Sequence, residues 1–150
     1  MDLMTVLAAE DEIVDDAAAG LERAHLVHYA TADADERRAR LRRLLDLVVR
    51  CVGSRDLIPM IEHSKEVATE RFYAGYDISE VQCAFNVLEE TLWRRLVSNV
   101  PADDLVEAIG LLTTVLGAGK DTLARTYVSL ASKRHVPSLD LRALFEVGEG

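Results

Sequence analysis

The side chains with chemical potential are few, and they gather in the segment from Arg71 to Leu96. Glu89 and Glu90 stand near Gln82 and Asn86 there. Paired carboxylates can exchange protons, but adjacent residues point roughly 100° apart on a helix and do not face a common substrate. Asn86 and Glu90 do share a face. With Gln82 and the single tryptophan, Trp93, they form a polar flank that could line an internal pocket or touch a partner. A polar network between helices, or a solvated face, accounts for the same pattern. No nucleophile has a base and an orienting group beside it, so no catalytic residue is assigned and no enzyme is expected.

Other candidates are weaker. The run LGAGKDT, Leu116 to Thr122, resembles a phosphate loop, but Thr114 and Asp121 replace the required first Gly and the Ser or Thr after the Lys, and no strand precedes it. His25 and His28, with Glu22, have one-face spacing for a metal, yet surface or capping roles explain them as well. Any of the four histidines, His25, His28, His63 or His135, could ligate haem in a helical pocket, but a lone histidine is more often a satisfied packing residue. No metal or cofactor is assigned. Cys51 and Cys83 fall inside apolar helical patterns and read as small buried hydrophobes. Tyr73, Tyr76, Phe85 and Trp93 read as packing at a helix corner, with a dimer interface or ligand pocket as the functional alternative.

These residues need a frame, and the composition limits it. A chain of 150 residues, 49% hydrophobic and 29% charged, suits one folded domain. Aromatics are only 5%, so the core must be aliphatic. The net charge of −9 argues against nucleic-acid or anionic-membrane binding, which needs a positive face. No cationic segment with an apolar stretch opens the chain, and apolar runs fall far short of the ~18 residues of a membrane span. The expectation is a cytoplasmic protein.

The periodicity predicts five helices. The first, Leu3 to Ala24, places Leu3, Leu7, Val14, Ala17, Leu21 and Ala24 on one face and Glu10, Asp11, Glu12, Asp15 and Asp16 opposite. His25 to Ala32 reads as a connection. The second starts at Asp33, with Glu36 completing a capping box, buries Leu41, Leu44, Leu45, Val48 and Val52, and stops at Gly53. Arg37, Arg38, Arg40, Arg42 and Arg43 crowd its start and oppose the helix dipole, which predicts that they reach the acidic face of the first helix. The third begins near Asp56 with Pro59 in its first turn, buries Leu57, Ile61, Ala68 and Phe72, and ends at a left-handed Gly75. The fourth is capped by Asp77 with Glu80 and carries Val81, Phe85, Leu88, Leu92 and Leu96. The fifth opens after Pro101 and runs to about Lys133 on Leu105, Ile109, Leu112, Leu116, Leu123 and Leu130. Its Gly110, Gly117 and Gly119 either admit a close neighbour or bend it. Ser138 opens a short turn in a tail, residues 136–150, that docks Leu139, Leu141, Leu144 and Phe145. The reading is an all-α, five-helix antiparallel bundle with a short docked C-terminal tail. Long amphipathic stripes on the first and last helices suggest a homodimer.

The stretch RFYAGYDISEVQCAFNVLEETLWRRL resembles the N-terminal domain of RsbRD-type RsbT co-antagonists. The resemblance lies in the aromatic-x-Gly turn at Phe72 to Tyr76, the acidic helix start at Asp77 to Val81 and the close at Leu88 to Trp93. His25 to Tyr29 and Arg125 to Ser138 are also similar to single-domain relatives. The resemblance implies an all-helical regulatory input domain of stress-response signalling, acting through a protein partner and lacking catalytic residues. After Phe145 the chain has no room for an output module, which leads to the expectation of a stand-alone sensor, adaptor or dimerisation module. The residues leave a second reading open, a small-molecule or tetrapyrrole sensor with its pocket near Asn86 and Glu90.

Overall fold

The computed structural model describes residues 1–24 and 33–135; the connection across residues 25–32 and the docked tail expected over residues 136–150 lie outside the described residues. The described residues form six helices and no strand. The count exceeds five because the first expected helix is split into α1 (Leu3–Leu7) and α2 (Glu10–Arg23). Asp2 caps α1 by accepting the Thr5 N–H at 2.8 Å. Ala8 and Ala9, at the break, are good helix formers, so local propensity does not cause it. Glu10, Asp11 and Glu12 instead favour a fresh helix start, since all three fall in the first turn of α2 at the positive end of its dipole.

All four remaining helices begin close to where the sequence places them. In α3 (Ala34–Ser54), Asp33 Oδ1 accepts the Glu36 N–H at 2.7 Å, the expected cap. Gly53 does not stop this helix; the chain turns at Arg55, which holds a left-handed φ of 53°. In α4 (Ile58–Tyr73), Asp56 Oδ1 accepts the Ile58 N–H at 3.0 Å and Pro59 sits in the first turn. Gly75 ends it at φ 86°, with the Tyr76 N–H bonded to the Arg71 carbonyl at 2.9 Å and the Gly75 N–H to the Phe72 carbonyl at 3.1 Å. This double closure needs a residue free of a Cβ at the left-handed position. In α5 (Ile78–Asn99), Asp77 stands at the cap but its carboxylate takes the Ser79 hydroxyl, while the Glu80 N–H bonds the Asp77 carbonyl at 3.0 Å. The expected capping box is thus replaced, because a hydroxyl two residues on competes for the same carboxylate. The last helix, α6 (Ala102–His135), is a single run of 34 residues.

Ion pairs give the sense of packing. Arg38 pairs with Asp15, and Arg42 pairs with Asp11 at 2.8 Å and Glu10 at 3.1 Å, so α2 and α3 run antiparallel. Arg95 on α5 bridges Glu12 at 3.1 Å and Asp16 at 3.0 Å on the same acidic helix. On the other side, α6 packs chiefly on α4 and α5. A Cβ at Gly119 would lie 2.6 Å from Phe85 Cε2, 3.0 Å from Met60 Sδ and 3.1 Å from Ser64 Oγ. Close approach of three helices is therefore the role of Gly119, while Gly110 and Gly117 meet nothing within 4 Å.

The buried stripes of α3 and α5 are those expected: Leu41, Leu44, Leu45, Val48 and Val52, and Val81, Phe85, Leu88, Leu92 and Leu96. Those of α4 and α6 are rotated. The most buried residues of α4 are Met60, Ser64, Ala68 and Arg71, with Leu57, Ile61 and Phe72 only half-buried. On α6 they include Ala108, Leu112, Val115, Leu116, Leu123 and Tyr127, with Leu105, Ile109 and Leu130 half-buried. Gly119 selects this register, because only the face of α6 that carries it can approach Met60 and Ser64 so closely. No helix among the described residues is long and apolar enough to cross a membrane.

Candidate functional site

The polar flank of α5 is an outer surface rather than an enclosed pocket. Gln82 is half-buried, Asn86 and Glu90 are exposed, and Trp93 is 48% exposed. Lys120 of α6 reaches across to Asn86 Oδ1 at 3.2 Å and Glu89 Oε2 at 2.6 Å. Glu90 turns away and pairs with Arg94 at 2.7 Å, one turn along its own helix. Trp93 and Val97, also one turn apart, are left as large apolar groups in solvent, each 48% exposed. The structure thus brings Asn86 together with Glu89, not with Glu90. Glu90 lines a different feature, a groove of about 670 Å³ between α2 and α5, with Asp16, Gly20, Val87, Arg94 and Arg95.

A second cavity, of about 40 Å³, was not expected from the sequence. It lies between α3, α4 and α5, with Leu21 of α2 at its side. Arg37, Arg40, Arg43, Arg71 and His63 line it, over an apolar floor that includes Leu41, Leu44, Val67, Val81 and Phe85. Arg38 and Arg42 of the basic run make ion pairs to α2, and Arg37, Arg40 and Arg43 line the cavity. Arg40 pairs with Glu36 at 2.5 Å and donates to the Tyr76 hydroxyl at 3.3 Å.

Arg71 is the buried member, 8% exposed. Its Nη1 pairs with Glu70 at 2.7 Å, and its guanidinium carbon stands 5.4 Å from the centroid of the Tyr76 ring. Its Nε is buried without a hydrogen-bond partner among the described residues. Burial holds the His63 imidazole below the ordinary histidine range; Arg43 and Arg71 push the same way, against Glu66 and Glu70. The sequence did carry a signal of this site: Arg37, Arg40 and Arg43 recur every three residues, a spacing that turns them away from Arg38 and Arg42. What it did not carry was the rotation of α4 that buries Arg71.

The remaining candidates resolve simply. Leu116 to Thr122 lies in mid-helix, where the backbone amides are spent on the helix and cannot cradle a phosphate. No group of three or more His, Cys, Asp or Glu side chains able to hold a metal occurs among the described residues. His25 and His28 lie outside them, as does the side chain of His135. Cys51 and Cys83 are free, and burial raises both thiols above their ordinary pKa. Of the corner aromatics, Phe85 is core and Tyr73 is 69% exposed. Phe72 meets Tyr73 and Tyr127 edge to face at 5.4 Å, and the Tyr127 hydroxyl donates to the Tyr76 carbonyl at 3.0 Å.

Among known proteins, the family described as the RsbT co-antagonist protein rsbRD N-terminal domain matches residues 8–135, which takes in α2 to α6 whole. No curated protein and no solved structure matches the chain.

Proposed function

Because the chain belongs to the RsbT co-antagonist protein rsbRD N-terminal domain family, we propose that it is a non-catalytic input domain of a cytoplasmic stress-signalling system and works by contact with a protein partner. The observation that carries this reading is the outer face of α5. Trp93 and Val97 lie there in solvent, flanked by the Glu90–Arg94 pair and by Asn86. Apolar groups rimmed by charge, with an aromatic at the centre, suit a protein interface. The stripes on the first and last helices that suggested a homodimer are largely spent within the protomer, with Leu105, Ile109 and Leu130 half-buried. The exposed apolar groups of α5 and α6 are Trp93, Val97, Val106 and Val128, among the described residues. We propose α5 as the face that serves both a signalling partner and a second copy.

Affinity capture from the native host, run in parallel with wild type and Trp93→Glu, tests this. Recovery of a signalling regulator by wild type and its loss with Trp93→Glu is the expected outcome. Equal recovery by both proteins would sink the assignment of this face. Light scattering at high micromolar concentration reads the homodimer separately, with Trp93→Glu expected to be monomeric. The ligand-sensor alternative draws its support from the cation-lined cavity rather than from Asn86 and Glu90.

A further inference from the structure

We propose that the cavity between α3, α4 and α5 binds a short-chain monocarboxylate, with its carboxylate on the Arg71 guanidinium and its alkyl end on Leu41, Leu44, Val67 and Phe85. The first argument is the state of Arg71. A buried guanidinium is costly unless its charge and its donors are both answered. The carboxylate it pairs with among the described residues, Glu70, has a side chain 71% exposed, where water screens the pair. Its Nε stays buried without a partner among the described residues. A carboxylate is the group that answers both needs, since it accepts from a guanidinium at two atoms at once.

The second argument is charge. Among the described residues, four arginines and a histidine line the cavity and no Asp or Glu does, in a chain whose net charge is −9. Such local inversion of sign draws an anion against the average field of the molecule.

The third is size and lining. A water needs roughly 10–15 Å³ on the same measure, so about 40 Å³ holds a ligand of a few heavy atoms. The floor is aliphatic and aromatic, which favours an alkyl carboxylate over a fully hydrated anion such as phosphate. The site is separate from the outer face of α5, so this inference stands or falls without the partner reading.

The test is calorimetric titration of the whole purified chain with sodium butyrate, propionate, acetate and inorganic phosphate at constant ionic strength. Saturable binding is expected, tightest for butyrate and weakest for phosphate. Arg71→Met weakens butyrate at least tenfold, while Arg125→Met, at an exposed position of α6, binds as wild type does. If Arg71→Met does not fold, Ala84→Met decides the matter, because it fills the cavity from α5 without touching a charge and should abolish binding. Absence of saturation, phosphate binding as tightly as butyrate, or wild-type titration of the Ala84→Met protein would each overturn the proposal.

Discussion

Gly119 shows how one missing side chain organises a bundle. Its α-carbon sits where Phe85, Met60 and Ser64 converge, and a methyl group there would come within 2.6 Å of the Phe85 ring. Gly117, two residues earlier on the same helix, meets nothing within 4 Å. Gly119→Ala is therefore expected to lower stability by about 1–3 kcal/mol through overpacking. Gly117→Ala is expected to raise it by roughly 0.5–1 kcal/mol through helix propensity alone. Chemical denaturation of the pair checks this, and equal effects of the two substitutions would contradict the packing role. Both glycines were visible in the sequence as a choice between close approach and bending. Only the neighbours of each, which belong to other helices, separate them.

Between helices, the charges sort by angular position. The acidic run of α2 does three things: it opens a new helix, it meets Arg38 and Arg42 of α3, and it meets Arg95 of α5. The sequence predicted that the basic run would reach this acidic face, and Arg38 and Arg42 do so. It did not divide the run, and the division matters, because Arg37, Arg40 and Arg43 are left to line the cavity. The pairs to α2 are largely exposed, so their contribution depends on ionic strength. The double substitution Arg38→Gln with Arg42→Gln is expected to lower the melting temperature in low salt, with the difference from wild type shrinking in molar salt. Thermal melts across a salt series read this directly; a difference independent of salt would show that packing, not charge, is lost.

At the scale of the protomer, α6 closes one side of the bundle on α4 and α5, and the acidic helix closes another on α3 and α5. The family match over residues 8–135 covers this frame and begins after α1. Global stability should carry the signature of His63, which faces Arg43 of α3 and Glu66, Glu70 and Arg71 of its own helix. Its pKa is depressed in the folded state, so the unfolded chain binds the proton more readily. The associated stability is fully present above the ordinary histidine value of about 6.5 and is lost as pH falls through the folded-state value. Melts from neutral to mildly acid pH should show this decline, and His63→Gln should flatten it. An unchanged slope in the variant would remove His63 from the account.

The sequence alone determined the helical class, the helix starts at Asp33 and near Asp56, the left-handed Gly75 and the aliphatic stripes of α3 and α5. These follow from local rules, because caps, turns and a 3.6-residue period act over a few residues. It also marked Gln82, Asn86, Glu90 and Trp93 as one polar flank, and it could not say whether that flank lined a pocket or a surface. The tertiary structure places Lys120 across from Asn86 and leaves Trp93 48% exposed. It likewise decided the rotation of α4 and α6, which puts Met60, Ser64 and Arg71 inward in place of Leu57, Ile61 and Phe72. An amphipathic period specifies that a helix has a buried face, but when several neighbours cover it, the fit at one close approach chooses which face that is. Here the notch at Gly119 makes that choice, and the burial of Arg71 follows from it.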